Sequence, residues 1–188
     1  IWLAVTSLTT TGYGDLYAQT TSGRLATAFL IYLPAVIFIS KMIGDYASYI
    51  NERREMKKMG LLNLEKLKNH IVIVNVPDVN THSYLEIMKE QIDNSNNLKN
   101  KDVVVLTNEF SGTGLPATLT DWKYVDGNGL SRKDLQKTGI QNATYVFIFG
   151  EVKEDDSSIL MSLINIKKLG TNARIISEYQ DKESKELL

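Results

Sequence analysis

The sequence predicts a short membrane-inserted helical segment followed by an α/β domain with a doubly wound parallel sheet. Three observations carry this. A Gly-Tyr-Gly stretch near the start is followed by an apolar run, Leu25 to Ile43, of about the length that spans hydrocarbon at ~1.5 Å per residue. Charged residues are nearly absent from the first fifty positions and frequent afterwards. From Ile71 onward, short β-branched runs alternate with segments of helical spacing, the pattern of βαβ units.

The 188 residues suffice for one domain and part of another. A net charge of −1 gives no basic field for nucleic acid, which is not expected as a partner. With no cysteine there are no disulfides, thiolate metal sites or cysteine nucleophiles, and two histidines leave little for a zinc site. The opening Ile1-Trp2-Leu3-Ala4-Val5 reads as the middle of a longer chain, and the final acidic and basic residues read as a helix cut short.

Trp2 to Thr9 is apolar and hydroxyl-rich and is expected to be a short helix whose C-terminal dipole favours a cation. Next comes Thr9-Thr10-Thr11-Gly12-Tyr13-Gly14-Asp15. Glycines at alternate positions accept positive φ. An alternating left- and right-handed backbone aims successive carbonyls toward one axis. A row of inward carbonyls replaces the hydration shell of a potassium ion.

Leu16 to Ser22 is a polar connection, and Ser22 is the expected cap of the next helix. The spanning run follows. Pro34 removes a backbone donor within it and clashes with the carbonyl four residues back, so a kink is expected there, a candidate gate hinge. Lys41 lies near its far end, where it can snorkel. Gly44 to Gly60 continues as a helix that becomes charged, with Arg53, Arg54, Lys57 and Lys58. Basic residues just beyond a span point to the cytoplasmic side.

Strands are expected at Ile71–Val74, Val103–Leu106, Trp122–Val125, Tyr145–Phe149 and Arg174–Ser177. Helices are expected at Tyr84–Ile92, Ser131–Thr138 (capped by Ser131, stopped by Gly139) and Ser157–Leu169 (ended by Gly170), with another beginning in the last residues.

The stretch Thr10 to Asp15 resembles the potassium-channel signature Thr-Val-Gly-Tyr-Gly, with Thr11 in the valine place. The order of filter, spanning helix, basic linker and Rossmann-like domain resembles ligand-gated potassium channels of the RCK class (regulator of potassium conductance). Met56-Lys57-Lys58-Met59-Gly60, Val125-Asp126-Gly127-Asn128 with Leu135 and Gly139, Asn142-Ala143-Thr144 and Arg174-Ile175-Ile176-Ser177-Glu178 carry the resemblance through the domain. It implies a partial pore domain at 1–50 (pore helix, selectivity filter, inner helix), a basic linker at 51–68 and an RCK N-terminal Rossmann-like domain at 69–188. It implies K+ as permeant ion, with Thr10, Thr11, Gly12, Tyr13 and Gly14 supplying oxygens. Asp15 lines or supports the outer mouth, and the Tyr13 ring faces away from the axis, braced against Trp2. It also implies a homotetramer in a lipid bilayer of the cell membrane, a cytoplasmic gating ring completed by a second RCK lobe or further subunits, and no enzymatic activity.

The regulatory ligand, Ca2+ or a nucleotide, is left open. The Gly-rich turn expected after the first strand is replaced by Asn75-Val76-Pro77-Asp78-Val79-Asn80, leaving Asn75, Asp78 and Glu109 as candidate nucleotide contacts. Calcium-gated members place acids after the fourth and fifth strands. Here Glu151 follows the fourth strand and Glu178 the fifth, the two candidate Ca2+ ligands, with Gln180 where a second carboxylate is expected. Two other readings are a regulatory nucleotide-binding subunit of a potassium-uptake system and a soluble nucleotide-dependent oxidoreductase. The first would not carry Thr10 to Asp15. The second needs a glycine-rich turn and a catalytic acid or base, and neither is found.

Overall fold

The computed structural model describes residues 1–77, 80–150 and 156–178. The chain divides into two compact units, Ile1–Arg53 and Arg54–Leu188.

In the first unit, α1 (Trp2–Leu8) leads into the Gly-Tyr-Gly stretch, and α2 (Thr21–Thr27) follows the polar connection. The cap of α2 is Thr20, not Ser22. Thr20 has extended backbone, and its hydroxyl accepts the Gly23 N–H at 3.2 Å. Ser22 already lies inside the first turn, where its side chain has no orphan donor ahead of it to satisfy. The helix then widens into one π turn, Ala28–Tyr32, and resumes as α3 (Leu33–Lys58). The Leu33 N–H reaches back five residues to the Ala28 carbonyl. Pro34 explains the position. It has no N–H for the Leu30 carbonyl, and its ring would clash there. The irregularity expected at Pro34 therefore takes the form of a wider turn just before it.

By length and composition, the helical run Thr21–Lys58 can cross a membrane. Its apolar side chains, among them Phe29, Leu30, Val36 and Ile43, are exposed, and Ala35 is the buried exception. A soluble core helix would have buried them.

The second unit is built on a five-stranded sheet in the order β3-β2-β1-β4-β5, every neighbouring pair parallel. The strands are β1 (Ile71–Val74), β2 (Val103–Thr107), β3 (Lys123–Asp126), β4 (Tyr145–Ile148) and β5 (Arg174–Ser177). Among the described residues three helices accompany them: α4 (Thr81–Asn94), α5 (Arg132–Lys137) and α6 (Ser157–Lys168). The β-branched runs are buried because both faces are covered. Val72, Val74, Val104 and Leu106 pack with Leu135, Ile159, Leu163 and Ile166. Ile71, Ile73, Val103 and Val105 face the other way, toward Leu85, Ile92, Leu119 and Trp122. The alternation along each strand sends neighbouring residues to opposite layers.

Ser131 caps α5 by accepting the Asp134 N–H at 3.3 Å, and Gly139 closes it with φ +72°. Between β2 and β3 the connection carries a 3₁₀ turn, Ala117–Leu119, in place of an α-helix. The helix expected in the last residues lies outside the described residues.

The linker after α3 is fastened along the sheet. Leu61 bridges Val125 at the edge of β3. The Asp126 N–H donates to the Gly60 carbonyl at 3.0 Å, and the Leu64 N–H donates to Lys137 at 2.7 Å.

Candidate functional site

The end of α1 is unusual in how it spends its carbonyls. The Thr6 carbonyl accepts both the Thr11 N–H at 3.0 Å and the Gly12 N–H at 3.2 Å. The Thr9 hydroxyl donates back toward Val5 and lies 2.9 Å from the Thr11 hydroxyl. These bonds satisfy orphan groups at the helix C-terminus and set the chain's departure from it.

Positive φ then recurs at every second residue: Thr10 at 58°, Gly12 at 56° and Gly14 at 72°. Nothing would touch a Cβ added at Gly12 or Gly14, so glycine is required there by backbone conformation alone. Thr10 adopts the same region despite its β-branch, a strained position. Trp2 joins the two ends of the segment. Its ring lies 5.8 Å from Tyr13, nearly parallel at 8°, and its Nε1–H donates to Asp15 Oδ2 at 2.7 Å. One side chain from the start of α1 thus holds both the tyrosine and the acid. Pro34 sits on the exposed side of α3, next to buried Ala35.

In the second unit, the candidate ligand residues lie at the C-terminal ends of the strands, where doubly wound sheets bind ligands. Asn75 follows β1 with φ +58° and is buried. Its N–H donates to Leu106 at 2.9 Å, and its Oδ1 accepts the Gly129 N–H at 3.1 Å. Asparagine takes the left-handed position that a glycine would hold. Gly129 packs so closely on Val74 and Ser162 that no side chain fits, so the loop after β3 is drawn down onto the end of β1. Glu109 is exposed in the turn after β2, its N–H donating to Thr107 Oγ1 at 3.3 Å. It does not meet Asn75 in any hydrogen bond. Asp78 lies outside the described residues.

Asp126 was not singled out from the sequence as a site residue. It ends β3, accepts from Tyr124 at 2.8 Å and Ser111 at 2.5 Å, and binds the linker through its N–H. Its signal was an acid followed by Gly127 at the end of a strand. Burial, followed by the Asp126 carboxylate, pushes the Tyr124 hydroxyl well above its ordinary pKa.

Glu178 follows β5, exposed, with its N–H on the Ile148 carbonyl at 3.1 Å. Burial and then the Glu178 charge raise the pKa of the Tyr84 hydroxyl. Glu151 lies outside the described residues. Among the described residues no group of three or more acids or histidines stands ready to hold a metal. His70 is fully buried at the start of β1. Its Nε2–H donates to the Thr138 carbonyl at 2.9 Å, while Nδ1 has no partner among the described residues. Burial lowers its pKa below the ordinary value.

Fold and site together define a helical ion-channel segment followed by a Rossmann-like lobe. The chain belongs to the family of the calcium-activated potassium channel slowpoke-like RCK domain, whose model matches residues 66–177, and an ion channel model matches residues 1–52. It is 24% identical over 192 residues to the calcium-gated potassium channel TvoK of Thermoplasma volcanium, an alignment covering 98% of this chain and 51% of that protein. The chain thus spans about half the length of this relative. Among solved structures it resembles the GsuK channel bound to NAD (17% identity, TM-score 0.58, all of this chain and 32% of that one). It also resembles GsuK bound to ADP (18% identity, TM-score 0.60, all of this chain and 47% of that one). At this identity the likeness speaks for the fold.

Proposed function

We propose that this chain forms the filter, inner helix and first regulatory lobe of a potassium-selective channel. The observation that carries the reading is the alternation of left-handed backbone at Thr10, Gly12 and Gly14 immediately after a helix C-terminus. In this reading the carbonyls of Thr10, Thr11, Gly12, Tyr13 and Gly14, with the Thr10 hydroxyl, take over the hydration shell of K+. Asp15 is held at the outer mouth by Trp2, and Tyr13 is steadied by the same ring. One signature per chain cannot enclose a pore, so four copies surround a fourfold axis in the bilayer. The exposed apolar faces of α2 and α3 support both lipid and neighbouring copies as their cover.

Residues 1–50 act as the pore part, 51–68 as the linker and 69–188 as the regulatory lobe, placed in the cytoplasm by the basic linker. The Ala28–Tyr32 turn and Pro34 give the inner helix a hinge. The lobes assemble, with further RCK lobes, into a ring that responds to Ca2+ or a nucleotide. The printed descriptions of the relatives support both ligand classes: a calcium-gated channel, and channels bound to NAD and ADP. Glu178 with Glu151 would serve the ion, and Asn75, Asp78 and Glu109 the nucleotide. The Asn75–Gly129 bond weighs against a pyrophosphate at the β1 turn, because it fixes the loop that would have to make room.

The test is cation flux through reconstituted protein with a ligand panel. K+ flux raised by Ca2+ or by a nucleotide supports the reading. Flux indifferent to both removes the ligand assignment.

A further inference from the structure

Within the second unit, the last turn of α3 and the edge of the sheet line an open pocket of about 380 Å³. Small-molecule sites occupy ~300–1,000 Å³. One wall carries Arg54, Lys57 and Lys58. The opposite wall is apolar, formed by Leu115, Leu119 and Trp122 with Tyr124. No acid lines it. Two of the three cations are partly engaged: Lys57 donates to the Thr120 carbonyl at 3.2 Å, and Lys58 lies 3.5 Å from exposed Glu55. Arg54 makes neither kind of contact among the described residues. Asp121, the acid beside this loop, is held by Lys89 at 2.5 Å.

We propose that this pocket binds an amphipathic organic anion: a phosphate or carboxylate carried on an aromatic or short acyl body. The apolar wall selects the body. The cationic wall selects the head, and the planar guanidinium of Arg54 suits two oxygens of one phosphate or carboxylate. Neither half alone fills the site. A bare anion makes no use of the apolar wall, and a neutral body leaves Arg54 without a counter-charge. An occupant would bridge the linker helix to the loop leading into β3, beside the point where Gly60 is fastened to Asp126. Binding is independent of whether the filter conducts potassium.

Isothermal titration calorimetry on the purified chain in phosphatidylcholine nanodiscs tests this, with 1-naphthyl phosphate as the probe. Saturable binding to one site per chain is expected, with inorganic phosphate and 1-naphthol each at least about tenfold weaker. Arg54→Gln, at an exposed position that keeps its helix propensity, is expected to weaken binding about tenfold without changing the melting temperature. Ala117→Trp fills the mouth and is expected to abolish binding. Nanodiscs containing phosphatidic acid separate the sources. Competition identifies a membrane lipid as supplier, and unchanged affinity identifies a soluble anion; the site stands in both cases. The proposal is overturned if 1-naphthyl phosphate does not bind, if inorganic phosphate or 1-naphthol binds as well, or if Arg54→Gln binds like the unaltered chain.

Discussion

Replacing Gly60 by alanine strikes the joint between linker and sheet. Gly60 has φ +65°, its carbonyl accepts the Asp126 N–H at 3.0 Å, and a Cβ there would collide with Asp126 N and sit 2.7 Å from the Tyr124 ring. Gly170 is the internal control. Its φ is +74°, and a Cβ there would meet nothing within 4 Å. The left-handed backbone alone costs alanine ~1–2 kcal/mol, and Gly170→Ala carries only this. Gly60→Ala adds a lost hydrogen bond, about 1 kcal/mol, and a displaced buried ring, ~1 kcal/mol or more. The totals are ~3–4 and ~1–2 kcal/mol. For a lobe of this size 1 kcal/mol moves the melting temperature by roughly 3–5 °C, so the two variants should differ by roughly 5–10 °C. Differential scanning calorimetry of the purified chain reads this directly. Equal shifts for Gly60→Ala and Gly170→Ala would refute the claim that the linker is fastened at this point.

Other outcomes follow from the same geometry. Trp2→Phe keeps the stack on Tyr13 but removes the bond to Asp15, so K+ over Na+ selectivity should fall while protein yield stays unchanged, as measured by ion flux. Gly12→Ala forces a side chain into the left-handed region at a cost of ~1–2 kcal/mol and should abolish K+ flux without altering helix content by circular dichroism. His70 is held neutral by burial, so its folded pKa lies below the unfolded value near 6.5. Below that value the unfolded chain binds the extra proton, and lobe stability should decrease as the pH drops from 7 toward 5. His70→Gln should flatten that slope, and an unchanged slope would assign it to other groups. Asn75→Ala loses the Gly129 contact and strains the turn, so the lobe should lose ~2–3 kcal/mol in denaturant unfolding.

The Rossmann-like lobe was legible because its signals are local. Ile71–Val74 and Val103–Leu106 read as strands from four β-branched or aliphatic residues in a row. Ser131 and Gly139 mark the ends of α5 by their own chemistry. What the sequence hid depends on partners elsewhere or on how the chain absorbs a conflict. Pro34 announces a broken hydrogen bond, but whether a helix bends or widens is settled by neighbouring turns, and here the π turn at Ala28–Tyr32 takes it up. Thr20 and Ser22 both suit a cap, and the one with extended backbone ahead of the helix took the role. The positive φ of Thr10 runs against its β-branch, so no propensity would suggest it; it follows from the pattern continued at Gly12 and Gly14. The bond from Asp126 to Gly60 joins residues far apart in sequence, and neither residue type signals the other.

The central claim is that alternating backbone at Thr10, Gly12 and Gly14 builds a row of carbonyls that strips and replaces the hydration shell of potassium. Comparing K+ and Na+ flux through reconstituted protein in liposomes tests it most directly. Strong preference for K+ in the unaltered protein, with K+ flux abolished in Gly12→Ala, is the predicted result. Equal permeability to the two ions in the unaltered protein would contradict it.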